Sequence, residues 1–279
     1  MTKLYIVPTP IGNLGDMTIR ALDVLKNCDA IACEDTRVTS KLLSRYDIRK
    51  PLIGYREHNE VRSGDFILER VRNGENIALV TDAGMPGISD PGEVVIKAAI
   101  REGVEFEVLP GPSAAVTALV SSGLYTGRHT FLGFIGKSRK EKRDVLTEYK
   151  DRTETLIIYE APHRLKDTLD AMLEVLGDRE ACASREITKL HEEHIRGRIS
   201  GLVETFKEKE PRGEFVICIS GRTRQELNEE KALAFSEMSI REHLQKVMDS
   251  GIDKKEAISV VAKERGIPKK EVYKESLNI

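Results

Sequence analysis

The run Ile77-Ala78-Leu79-Val80-Thr81-Asp82-Ala83-Gly84-Met85-Pro86-Gly87-Ile88-Ser89-Asp90-Pro91-Gly92 decides how this chain folds. It opens with four consecutive apolar residues, the pattern of a buried strand. It then breaks into a loop holding three glycines and two prolines, and a helix starts near Glu93. Open α/β sheets place their ligands just outside the carboxyl ends of such strands. Glycine lets the backbone approach a ligand closely, and proline stiffens the loop so that binding costs little ordering entropy. Asp82, at the end of the strand, offers an acceptor for a hydroxyl or a cation.

Outward from this run, strands and helices alternate. Strands are expected at 3–8, 30–34, 51–55 and 106–109. Helices are expected from Met17 to Lys26, with Ile19, Leu22 and Leu25 on one face, across Lys41-Leu42-Leu43, through Phe66, Ile67 and Val71, and from Glu93 to Arg101. Alternation of this kind implies a parallel sheet with right-handed crossovers. Pro110-Gly111-Pro112-Ser113 opens a further helix, with Pro112 in its first turn and Ser113 able to cap it or to meet a ligand. A second α/β pattern has strands near 130–134, 155–159, 181–184, 198–200 and 215–219 and helices at 138–150 and 163–175. Its close-spaced strands point to a mixed sheet. Beyond 226 no strand signal remains, and three short helices are expected at 240–248, 254–263 and 269–276. The organisation is therefore an N-terminal α/β domain (1–124), a C-terminal α/β domain (125–222) and a helical tail (226–279).

With 279 residues, 40% of them hydrophobic, the chain can build two cores. A net charge of −2 gives no global basic field, so any nucleic-acid footprint must be local. No apolar run reaches a membrane-spanning length, and the N-terminus enters a strand at once, so a cytoplasmic protein without membrane partners is expected. The four cysteines, Cys28, Cys33, Cys182 and Cys218, form no Cys-x-x-Cys pair and read as reduced core residues. Walker, dinucleotide-binding and nucleophile-elbow motifs are missing. His191 and His194 flank Glu192-Glu193, a charged solvated run rather than a zinc pattern, and no metal is expected. What remains is a pocket built by loops 8–16, 81–92 and 110–115, with the second domain closing over it.

Those loops resemble the tetrapyrrole-methylase superfamily, and within it the branch that acts on ribosomal RNA. The likeness rests on Val7-Pro8-Thr9-Pro10-Ile11-Gly12-Asn13-Leu14-Gly15-Asp16, Glu34-Asp35-Thr36-Arg37, Glu57-His58-Asn59, the 81–92 loop and Pro110-Gly111-Pro112-Ser113-Ala114. Tyr159-Glu160-Ala161-Pro162-His163-Arg164 and Arg185-Glu186-Ile187-Thr188-Lys189 extend it through the second domain. The resemblance implies S-adenosyl-L-methionine (SAM) in a cleft between two α/β domains. It also implies 2′-O-methylation of a cytidine ribose in the decoding region of small-subunit rRNA, on free rRNA or the assembled 30S subunit, by a homodimer. The family's cofactor contacts fall on Pro10, Ile11, Asp82, Ala83, Gly84, Gly87, Ser113, Ala114, Tyr159, Glu160 and Ile187. Two loops depart from the tetrapyrrole members: the usual Gly-x-Gly-Pro-Gly-Asp is Pro8-Thr9-Pro10-Ile11-Gly12-Asn13, and the usual Gly-Gly-Asp-Pro is Asp82-Ala83-Gly84-Met85. Both suit the rRNA branch.

A ribose hydroxyl is a poor nucleophile at neutral pH, so a base or an orienting carboxylate is expected. Glu34, Asp35, His58 and Glu160 stand at strand ends, and Glu34 and His58 are the favoured pair. Arg37 is placed to grip a phosphate. Lys137-Ser138-Arg139-Lys140-Glu141-Lys142-Arg143 supplies a local basic patch, so Arg139, Lys140 and Arg143, with Arg164 and Arg185, are candidate RNA contacts. The tail has helix-turn-helix spacing but balanced charge. Two alternatives compete: a methylase of a tetrapyrrole-like small molecule, and a non-catalytic SAM- or rRNA-binding assembly factor.

Overall fold

The computed structural model describes residues 2–236 and 238–277. The chain divides into two compact units, one of residues 2–148 and 154–220, the other of 149–153 and the segments beyond 221. The first unit holds two five-stranded sheets.

The first sheet contains β1 (Leu4–Ile6), β2 (Ala30–Cys33), β3 (Leu52–Gly54), β4 (Ile77–Val80) and β5 (Phe106–Val108), in the order β3-β2-β4-β1-β5. All pairings are parallel. Its helices are α1 (Ile19–Asn27), α2 (Thr36–Ser44), α3 (Glu60–Arg72) and α4 (Glu93–Glu102). The unbroken apolar run of β4 follows from burial on both faces. Ile77 and Leu79 join one core with Ile67, Leu68 and Val95. Ala78 and Val80 join the other with Ala21, Leu25 and Leu43. Each fully buried Ile or Leu contributes roughly 1.5–3 kcal/mol. In α1 the inward face is carried by Ala21 and Leu25, whereas Ile19, expected inside, is 80% exposed. The Thr18 side chain caps Ala21 N–H at 3.0 Å, which starts the helix at Ile19 and turns that residue outward.

The second sheet has the order β6-β7-β10-β8-β9: β6 (His129–Gly133), β7 (Thr155–Glu160), β8 (Glu180–Arg185), β9 (Glu193–Arg198) and β10 (Phe215–Ile219). β6 and β7 run parallel and the other pairs antiparallel, a mixed sheet. α5 (Ala114–Ser122) lays Ala115, Ala118 and Leu119 on it, against Ile157, Val216 and Cys218. Ser113 is the N-cap of α5, which puts Pro112 before the cap rather than in the first turn. α6 (Arg139–Tyr149), α7 (Leu165–Leu176) and α8 (Ile199–Glu208) complete this half. The strand expected at 198–200 lies earlier. β9 ends at Arg198, and Asp178 accepts from Ser200 N at 2.9 Å, fixing the start of α8 there. The 191–194 segment correspondingly feeds a charged edge strand, since Glu193 is held by Arg185 and Lys209.

The second unit contains α9 (Arg224–Ser236), α10 (Ile240–Asp249), α11 (Lys254–Arg265) and α12 (Lys269–Ser276). α10 opens on a Ser239/Glu242 capping box, α11 ends on Gly266 in the left-handed region, and Pro268 precedes α12. Leu244, Ala257, Val261 and Val272 form its core. α8 carries no capping signal of its own and lies outside the expected helices; α9 lies outside them too, although Thr223 and Glu226 form a capping box at its start, Thr223 N donating to Glu226 Oε2 at 2.6 Å and Glu226 N to Thr223 Oγ1 at 3.1 Å.

Candidate functional site

The carboxyl ends of the first sheet are tied together before any ligand arrives. Thr9 and Gly84 exchange backbone hydrogen bonds at 2.9 and 3.1 Å, and Thr9 Oγ1 donates to Thr81 O at 3.1 Å. The far end of the 81–92 loop is held by Glu60, whose Oε1 accepts from Gly92 N at 3.0 Å and Tyr55 OH at 3.1 Å. Gly92 has φ 152°, and a Cβ there would lie 2.8 Å from Gly87 N, so the loop folds on itself only with glycine. Gly12 is required in a similar way: a Cβ would meet Lys189 Cγ at 2.5 Å and Thr188 Oγ1 at 2.7 Å. This close approach joins the first loop to the 186–189 loop, with Asn13 N donating to Thr188 Oγ1 at 3.1 Å.

These loops enclose a cleft of about 520 Å3 within the first unit. Ile11, Asp82, Ala83, Gly84, Ser113 and Ala114 line it from the first sheet's loops and the start of α5. Tyr159, Glu160 and Ile187 line it from the second sheet. Pro10 and Gly87 do not line it. Pro10 is buried, and Gly87 supports the loop at φ 83°. The Ser113 side chain makes no capping hydrogen bond.

Glu34 shares this cleft and His58 does not; His58 lies in a separate open hollow with Glu57, Arg62 and Phe66. Burial, then Asp82 and Asp35, push the Glu34 carboxyl above its ordinary value. Burial does the same to Asp82. Asp90 was missed in the sequence, yet its carboxyl is raised to about 6 by burial, with Glu34, Asp82 and Glu214 adding repulsion. Its available signal was Ser89-Asp90-Pro91, where Ser89 takes a left-handed φ of 61°. Met85, Ile88 and Phe134 supply apolar wall, and Glu186, Lys189 and Glu214 polar rim. Glu186 and Thr188 also have left-handed φ, 50° and 66°.

Other expected residues are already engaged. The Glu160 side chain is 1% exposed and bound by Arg164 Nε at 2.9 Å, Thr168 Oγ1 at 2.5 Å and Lys142 Nζ at 3.9 Å, so it is no free base. Asp35 is chelated by Arg37, whose guanidinium holds its carboxyl well below the usual range. Tyr159 OH accepts from Ala115 N at 3.2 Å, and its ring packs edge-on against Phe131 and Phe134. The expected basic patch is thinner than its sequence. Lys142 is buried, and Arg139 and Arg143 both bind Glu174 at 3.1 Å. Arg185 pairs with Glu193 at 2.5 Å, and Arg164 lies over the Phe134 ring. Lys140 is exposed.

Residues 3–203 match the family model described as Tetrapyrrole (Corrin/Porphyrin) Methylases. A Bacillus subtilis protein named ribosomal RNA small subunit methyltransferase I is 49% identical over 273 residues, 98% of this chain and 93% of its own. A Thermotoga maritima protein of the same name is 44% identical over 222 residues, 80% of this chain and 100% of its own. Among solved structures, diphthine synthase (TM-score 0.63, 15% identity) covers 80% of this chain and 91% of that one. Uroporphyrin-III-C-methyltransferase from Thermus thermophilus (TM-score 0.57, 20% identity) covers 78% and 94%. The parallel first sheet, the mixed second sheet and the cleft walled by both are thus a shared fold as well as a shared sequence pattern, and the chain belongs to the tetrapyrrole (corrin/porphyrin) methylase family.

Proposed function

We propose that this protein is the cytoplasmic SAM-dependent enzyme that methylates the 2′-oxygen of a cytidine ribose in small-subunit rRNA. The methyltransferase class follows from the family, whose methyl donor is SAM. The rRNA target is supported by the names of the full-length relatives. The observation that carries the catalytic reading is the convergence of Glu34, Asp82 and Asp90 on one partly apolar cleft.

The cleft's residues suit this donor. Gly84, with φ 80°, lets backbone approach closely, and Ile11, Met85 and Ile88 offer apolar contact. Asp82 and Asp90 provide the negative charge that a cation relieves. When bound, SAM supplies a methyl group on a positively charged sulfur. The chain's task is to align an oxygen with that methyl and exclude water. Glu34, desolvated at the cleft wall, is the group we assign to hold the 2′-hydroxyl and accept its proton. An acidic cleft repels phosphate, so a single nucleoside enters while the backbone stays at the rim.

The test is methyl transfer to purified small subunits, followed by mass spectrometry of the rRNA. A single added methyl on a cytidine ribose is expected. Glu34→Gln should lower kcat by about 10²–10⁴-fold with SAM affinity retained. A methyl on a base, or an unimpaired Glu34→Gln, rejects the assignment.

A further inference from the structure

Resting on the rRNA reading, we propose that the helical unit is an RNA grip, and that its contact surface is one stripe of α12: Lys269, Lys270, Tyr273 and Lys274. Three helices of this unit pack on one core, and α11 and α12 are joined by only Gly266-Ile267-Pro268. A three-residue turn containing Gly is helix-turn-helix spacing, and it leaves the outer face of the second helix open to a partner.

Charge follows the same division. Residues 226–253 carry seven acidic and three basic side chains, whereas 254–277 carry four acidic and seven basic. The near balance of the whole tail conceals this separation. Within α12, Val272 and Ser276 face inward. At 100° per residue, Lys269, Lys270, Tyr273 and Lys274 fall on one outer arc, and Glu271 and Glu275 on another. Tyr273 is 54% exposed on the lysine arc.

The availability of these cations, which Lys140 shares, separates them from the arginines expected to contact RNA. Lys269, Lys270 and Lys274 enter no ion pair among the described residues. Arg37, Arg139, Arg143, Arg164 and Arg185 are each held by a carboxylate. Arg265 is also spent: it donates to Met238 O at 2.6 Å, Ser239 O at 2.9 Å and His243 Nδ1 at 3.1 Å, fastening the end of α11 to the start of α10. Three unpaired ammonium groups around an exposed phenol match a phosphate backbone with an unstacked base beside it. The chemistry shared by the family does not need this unit. The family match ends at residue 203, and the Thermotoga maritima relative carries the same name at only 80% of this chain's length.

The test uses the full chain, with purified small-subunit rRNA as the probe. The triple variant Lys269→Glu, Lys270→Glu, Lys274→Glu is compared with the triple Lys→Arg variant and with Tyr273→Ala. Charge reversal should flatten the plot of log affinity against log salt by about 2–3, at roughly 0.7–0.9 per phosphate contact. The KM for rRNA should rise at least about tenfold with kcat and SAM affinity unchanged, and the arginine variant should behave as the parent. An unchanged slope and KM overturn the proposal, as does an arginine variant as impaired as the reversal. If the stripe controls rRNA binding but no methyl reaches the rRNA, the proposed activity fails and the grip stands. If rRNA is methylated with an unaltered slope, the grip fails and the activity stands.

Discussion

Asp90 carries the electrostatic cost of the cleft. Its carboxyl rises from the ordinary 3.8 to about 6 because burial and three neighbouring carboxylates disfavour the charged form. The sign follows directly. The folded chain holds the proton more tightly than the unfolded chain, so the cost is absent below about pH 4 and complete above about pH 6. A bound cation relieves the cost only when Asp90 is ionised. SAM affinity should therefore be greatest above pH 7 and fall about tenfold by pH 5. Asp90→Asn should bind more weakly at pH 7.5, by at least about tenfold, and lose this pH step; calorimetric titration across pH 5–8 measures both. Equal affinity of the parent at pH 5 and 7.5 would contradict it. Glu34 and Asp82 were recognisable in the sequence because they end strands. Asp90 was not, because its burial is created by the fold of a loop.

At the scale of elements, one buried ion pair fastens α6 to the strand that leads into the cleft. Lys142 and Glu160 each have side chains 1% exposed, and Arg164 and Thr168 complete the coordination of the carboxylate. Removing Glu160 leaves the buried Lys142 ammonium without a counter-charge, at a cost of about 3–5 kcal/mol, whereas removing Lys142 leaves Glu160 still held by Arg164 and Thr168. Glu160→Gln should lower stability by about that amount and Lys142→Met by less, and a double-mutant cycle in urea should show coupling between the two. Additive losses would mean that the two charges act separately. The pair also explains why the basic run 137–143 misleads when read as a surface. A helix of this length turns one residue in three or four inward, and here that residue is a lysine. Sequence distinguishes an exposed lysine from a buried one only if its partner, eighteen residues away on another element, is already known.

For the whole molecule, the two units have separate cores, one built around two sheets and one from helices. A ligand of the cleft adds stability as RT ln(1 + [L]/Kd), about 2.7 kcal/mol at a hundredfold excess over Kd. Hydrogen exchange should show that stabilisation in 77–92 and 113–122, with little change in the amides of 240–277. RNA should protect the α12 segment instead. Protection of the helical core by SAM alone would refute this division of labour.

Local pattern alone determined every strand except β9, most of the helices and the last three helices of the tail. An apolar run covered on both faces, a glycine after a helix and a proline before one act within a few residues of themselves. The loop ends that form the cleft were legible for the same reason, since strand termini in a parallel sheet point to one edge. The tertiary structure alone decided which charges are free. It separated His58 from Glu34, partly enclosed Asp90, buried Lys142, gave Arg139 and Arg143 to Glu174, and left the α12 lysines without an ion pair among the described residues. Ionisation and pairing depend on neighbours brought together from distant parts of the chain, and no spacing along a sequence specifies those neighbours.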